Sequence, residues 1–208
     1  MPMNATATTD DDLSKMNTTS HPTLVLVRGI PGSGKSYLAN ALLKSIGTDK
    51  AVALDPDATD YTSKEYTDLS KSLTAEGVDE KFHPYRFIRG KAYKAITDHK
   101  ILIWNQPFTN LDGFTKTIIN LQAYAAEHNT QLPLLVVEVE IDHAVAKERV
   151  AKRKREGGHG PSENTFARFT NDYVSFADQG HTTVVVNGKD EVAVAVTAVM
   201  KALKTLLA

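Results

Sequence analysis

The strongest chemical signal in the chain is Gly29-Ile30-Pro31-Gly32-Ser33-Gly34-Lys35-Ser36. Its spacing fits G-x-x-x-x-G-K-[ST]. Glycines at 29, 32 and 34 permit backbone angles and close approaches that a side chain would block. Successive N–H groups then turn inward and form an anion nest at a helix N-terminus. Lys35 adds an ammonium beside the outer phosphates of a nucleoside triphosphate, and Ser36 offers a hydroxyl to Mg²⁺. The predicted phosphate-binding segment runs from Gly29 to Tyr37, and the expected ligands are ATP or GTP with Mg²⁺.

Two carboxylates, Asp55 and Asp57, follow the next apolar run. A carboxylate there can accept the proton of a hydroxyl that attacks a γ-phosphoryl group. Asp55-Pro56-Asp57 is also good turn chemistry, and the residues alone do not choose the base. Farther on, Trp104-Asn105-Gln106-Pro107 ends a third apolar run. Asn105 or Gln106 can order a metal-bound water or touch an acceptor, and Thr109 is a further hydrogen-bonding candidate. Between Lys147 and Arg155 lie six basic residues, among them Arg149, Arg153 and Arg155, followed by Gly157-Gly158-His159-Gly160-Pro161. Arg149 and Arg153 are four apart, on one helical face. An Arg-rich helix ending in a glycine hinge suits a lid over a triphosphate, and Arg168 is a further candidate. A second basic stretch, His83, Arg86, Arg89, Lys91 and Lys94, either is a solvated face or covers an acceptor that carries phosphate.

Groups so far apart in sequence need a scaffold that gathers them. Leu24–Val27, Ala51–Leu54, Ile101–Trp104, Leu134–Ile141 and Thr183–Val186 are short β-prone apolar runs. Amphipathic stripes separate them: 38–46, 85–96, 111–125, 143–156, 162–177 and 192–206. Strand and helix alternate, which predicts an α/β domain whose sheet is mainly parallel, with helices on both faces. Residues 58–84 are polar and weakly periodic, a partly helical insertion over the site. Residues 1–22 are rich in Thr, Asn, Asp and Ser, which predicts a disordered tail ahead of a domain spanning 23–208.

Composition narrows the classes. Of 208 residues, 24 are Lys or Arg and 25 Asp or Glu, a formal net charge of −1. Bulk charge therefore does not favour a nucleic-acid partner. There is no cysteine, which excludes disulfides, thiolate metal sites and cysteine nucleophiles. No apolar run approaches the ~20 residues of a membrane helix. No signal peptide is visible, and a cytoplasmic protein is expected.

The loop Gly29–Ser36 resembles that of small P-loop kinases, and the element order resembles polynucleotide-kinase-like and zeta-toxin-like phosphotransferases. The resemblance implies a three-layer P-loop NTPase sandwich with strand order 2-3-1-4-5 and a lid over about 149–165. It implies Asp57 as the base, with Asp55, Asn105, Gln106 and Thr109 toward the acceptor and Arg149 and Arg153 as lid arginines. Such kinases commonly place a phosphate-binding Arg three residues after the base; here that position is Asp60. A toxin-like role would further imply an inhibitory protein partner. The expected activity is transfer of a γ-phosphoryl group to a hydroxyl of a small molecule, a nucleotide derivative or a nucleic-acid end. A nucleotide-operated binding module and a nucleic-acid-binding ATPase are the alternatives.

Overall fold

The computed structural model describes residues 21–177 and 180–207. Most of the predicted tail lies outside the described residues; of it, Pro22 is buried and His21 reaches Thr130.

The strands are β1 (Thr23–Arg28), β2 (Ala51–Leu54), β3 (Ile101–Asn105), β4 (Leu134–Glu140) and β5 (Thr183–Asn187). They form one sheet in the order β2-β3-β1-β4-β5, and every pairing is parallel. The helices are α1 (Lys35–Ile46), α2 (Lys64–Ala75), α3 (His83–Thr97), α4 (Leu111–Glu127), α5 (His143–Arg155), α6 (Glu163–Asn171) and α7 (Val192–Leu207). Parallel strands need crossovers, and here helices supply them.

The strands alternate their side chains between two apolar layers, which is why they read as continuous apolar runs. Leu24, Leu26, Leu102 and Trp104 face α3 and α4, where Ile88, Ile96, Phe114 and Leu121 complete the layer. Val25, Val27, Ile103 and Val137 face α1 and α7, against Leu38, Leu42, Val199 and Leu203. Each buried Leu or Val contributes about 1.5–3 kcal/mol. A smaller cluster joins Ile30 to Ala146 and Val150 of α5 and Phe166 of α6. Ile30 thus packs the segment after β1 against α5 and α6. Among the described residues, no helix is long and apolar enough to cross a membrane.

Two expectations need correction. The helix predicted over 162–177 ends at Asn171. Residues after it run extended because they are drawn onto a buried ion pair between Arg28 and Glu138. Arg28 Nη1 donates to Glu138 Oε1 at 2.5 Å and to the Val174 carbonyl at 2.6 Å, and Nη2 donates to the Phe108 carbonyl at 3.2 Å. Glu138 accepts from Phe176 N and Ser175 Oγ, and the guanidinium lies over the rings of Phe176 and Tyr173. Residues 58–84 are partly helical as expected, with α2 capped by Ser63. His83, in contrast, does not belong to a solvated basic face. It is buried, with its ring nitrogens on Ser70 Oγ and the Val78 carbonyl.

Candidate active site

The carboxyl ends of β1, β2, β3 and β4 meet on one edge of the sheet, where ligands of such sheets bind. The segment Gly29–Gly34 follows β1 and enters α1. Gly32 has φ +86°, and a Cβ there would collide with the Ala146 carbonyl of α5. α2, α4, α5 and α6 begin with a side chain that caps their first amides: Ser63, Asn110, Asp142 and Ser162. α1 is preceded by Gly34, has no such cap and has no acid in its first turn. Its free amides and its dipole remain available to an anion.

Lys35 stands at the head of α1. Burial lowers its pKa, partly opposed by the charges of Asp57 and Asp55, and Arg153 lowers it further. One ammonium is therefore within electrostatic reach of Asp57, Asp55 and Arg153 of α5. Gly32, Gly34, Lys35, Ser36 and Tyr37 line a cleft of about 290 Å³ with Arg149 and Arg153.

At the end of β3, Asn105 Nδ2 donates to Ser36 Oγ at 3.0 Å and to Asp55 Oδ2 at 2.5 Å. Asp55 Oδ1 accepts from Asp57 N, capping a 3₁₀ turn over Pro56–Ala58. Asn105 Oδ1 is buried without a hydrogen-bond partner among the described residues. Asp55 is therefore tied to Ser36 through Asn105, and Asp57, within the turn that Asp55 caps, is exposed.

Asp57 lines a second cleft, of about 820 Å³, with Arg86 and Arg89 of α3 and with Trp104, Gln106 and Thr109 after β3. Trp104 Nε1 donates to Gln106 Oε1 at 3.1 Å. Lys35 lines the first cleft and Asp57 the second, and the charge of Asp57 acts on Lys35. Most of the sequence-predicted residues converge here. Ile30 is turned into packing instead, Pro31 and Ser33 are buried, and neither Arg155 nor Arg168 lines the two clefts. Arg149 reaches farther than expected, its Nη1 donating to the Gly188 carbonyl at 2.9 Å.

Sequence reasoning missed three features. Arg28 read as a strand stop, Glu138 as part of an apolar run, and residues 187–190 went unnoticed. A faint signal existed in the last case: Asn-Gly directly after a strand marks a tight turn at the ligand edge.

The zeta toxin family model matches residues 6–199. The chain belongs to the zeta toxin family. Among curated proteins, no sequence matches it. Solved structures share the fold of this zeta toxin family member at low identity. A gluconokinase from Sinorhizobium meliloti 1021 matches with a TM-score of 0.54 at 16% identity, over 92% of this chain and 95% of that one. Deoxyadenosine kinase from M. mycoides with bound dATP matches at a TM-score of 0.51 and 18% identity, over 88% and 99%. The Pnkp1/Rnl/Hen1 RNA repair complex matches at 0.52 and 17%, over 76% of this chain and 46% of that one. The architecture is that of P-loop kinases, in the strand order 2-3-1-4-5.

Proposed function

We propose that the protein transfers the γ-phosphoryl group of a nucleoside triphosphate to a hydroxyl group. One observation carries this reading: Asp57 lines the 820 Å³ cleft and is close enough for its charge to act on Lys35, which lines the 290 Å³ cleft. A base must reach the acceptor while the phosphate-binding cation is within electrostatic range, and the position of Asp57 supports both.

In this reading the amides of Gly32–Ser36 and the Lys35 ammonium hold the triphosphate. Asp57 accepts the proton of the attacking hydroxyl as the O–P bond forms and the bond to the leaving diphosphate breaks. Arg153 neutralises charge on the transferring group. The 820 Å³ cleft seats the acceptor, with Arg86 and Arg89 suited to an acceptor that carries its own negative charge. Ser36 Oγ and the Asp55 carboxylate, linked through Asn105, form an all-oxygen donor set. That set fits Mg²⁺, which takes one or two protein oxygens and otherwise keeps waters and phosphate oxygens. When bound, Mg²⁺ would neutralise charge on the outer phosphates. No three His, Asp or Glu residues among those described cluster into a closed metal cage, as this use of Mg²⁺ requires none.

The test is a panel of sugars, nucleotides, nucleotide sugars and 5′-hydroxyl oligonucleotides with γ-labelled ATP and GTP, with and without Mg²⁺. Label on one acceptor class supports transfer. Release of free phosphate alone, with every acceptor, would remove it.

A further inference from the structure

Two walls of the 820 Å³ cleft lead back to one buried side chain. Phe108, after β3, and Phe169, on α6, both line that cleft. Arg28 Nη2 donates to the Phe108 carbonyl at 3.2 Å, and Nη1 donates to the carbonyl of Val174, just beyond the end of α6. Rings close the circuit. Phe108 meets Phe114 edge-on at 5.5 Å, Phe114 meets Phe176 at 4.4 Å, and the Arg28 guanidinium lies 3.8 Å over the Phe176 ring centroid.

The backbone at Phe108 is strained. Its φ is +49°, in the left-handed region. A bulky side chain is an outlier there and stays only where its surroundings over-determine it. Among the described residues, the other non-glycine positions with positive φ are His99 and Asn129. Each follows the C-terminus of a helix, where that conformation is ordinary. Phe108 follows a strand instead, in the loop that walls the cleft. The group holding its carbonyl is Arg28.

Stability alone is a weak reason for a buried ion pair, because apolar residues of similar volume often serve as well. Arginine offers something an apolar pair lacks: a flat fork of donors that fixes several acceptors in one geometry. Here the fork spans Glu138 of β4, the Phe108 carbonyl after β3 and the Val174 carbonyl after α6.

We infer that Arg28 is a positioning residue for the phosphoryl acceptor: by holding the Phe108 and Val174 carbonyls it sets the two walls of the 820 Å³ cleft. The inference rests on the reading of that cleft as the acceptor seat. Arg28 then controls acceptor affinity and leaves nucleotide affinity alone, although it directly precedes Gly29.

Two variants of the full-length protein test this. Arg28→Lys keeps a charge for Glu138 and loses the fork. Arg28→Met with Glu138→Leu removes the pair without stranding a charge. Trp104, the one tryptophan of the chain, is buried in the wall of the cleft with its ring 6.1 Å from that of Phe108. Acrylamide quenching of its fluorescence therefore reads the loop with no acceptor present, and quenching should rise in both variants. ATP affinity by calorimetry should stay unchanged. The acceptor is whichever of glucose, AMP, UDP-glucose or a 5′-hydroxyl oligonucleotide the wild type labels; its KM should rise about tenfold or more, with kcat little altered. Leu203→Ala, a destabilising change in the opposite apolar layer, should lower the thermal midpoint and move neither quenching nor KM. Unchanged quenching and KM in both Arg28 variants overturn the inference. So does a fall of ATP affinity in step with KM, a loss of all binding, or an equal rise of KM in Leu203→Ala, since each makes Arg28 a residue of the fold at large. A wild type that labels no acceptor overturns the transfer reading instead, and quenching still reports whether Arg28 holds the loop.

Discussion

Asn105 Nδ2 lies 2.5 Å from Asp55 Oδ2, so a neutral amide at the end of β3 holds the carboxylate at the end of β2. The same nitrogen holds Ser36 Oγ at 3.0 Å. The third strand carries no charge of its own at this level. The negative charge is supplied from the neighbouring strand and aimed by an amide.

That arrangement gives the first prediction. Asn105→Leu keeps the volume and removes both hydrogen bonds, leaving Ser36 Oγ untied and Asp55 held only through Asp57 N. Losing a buried hydrogen bond costs about 1–3 kcal/mol. The Mg²⁺ concentration for half-maximal transfer should rise roughly tenfold, while nucleotide affinity in EDTA stays unchanged. Rates measured across a Mg²⁺ titration decide it; a parallel loss of affinity in EDTA would mean that Asn105 supports the phosphate loop instead.

Asp57→Asn removes the proton acceptor and little else, because the side chain is exposed and caps nothing. Phosphoryl transfer should fall by about 10²–10⁴. Nucleotide affinity should hold or improve slightly. Single-turnover transfer beside calorimetry separates the two quantities.

Removing one member of the Arg28–Glu138 pair strands the other charge in the core, since both side chains are fully buried. Glu138→Leu should destabilise the fold by about 3–5 kcal/mol. For a chain of this size that lowers the thermal midpoint by roughly 10 °C. The double variant Arg28→Met with Glu138→Leu should be much milder, because no charge is left unpaired. Differential scanning calorimetry of the three proteins checks the order.

Lys35 sets a pH dependence of known sign. Burial lowers its pKa, so in the window between that lowered value and 10.5 the unfolded chain binds more protons than the folded one. Folding stability must therefore rise with pH through that window, and Lys35→Met should abolish the rise. Phosphate binding needs the charged ammonium, so nucleotide affinity should fall over the same window. Urea titrations and calorimetry at several alkaline pH values should give opposite slopes in the wild type.

Much of this was readable because the responsible forces are local. Leu24–Val27 and its counterparts announce buried parallel strands by apolar length alone. The alternation with helical stripes fixes a parallel sheet, and Gly29–Ser36 carries its function in its own backbone requirements. Long-range electrostatics left no such trace. Nothing near Arg28 in sequence points to Glu138, 110 positions away, so the extended run after Asn171 looked like more helix. His83 looked basic and exposed because Ser70 and the Val78 carbonyl, its partners, lie on the far side of a turn. The turn at 187–190 was invisible for the same reason: its Gly188 lies against Ser33.

Arg149 carries a final consequence. Its Nη1 already serves two carbonyl oxygens, Gly188 at 2.9 Å and Gly32 at 3.5 Å, one from each end of the chain. An anion arriving beside it must compete with the protein's own backbone for this donor, so the contact is an exchange and adds little net affinity. What it contributes instead is a tie between the segment after β1 and the turn after β5.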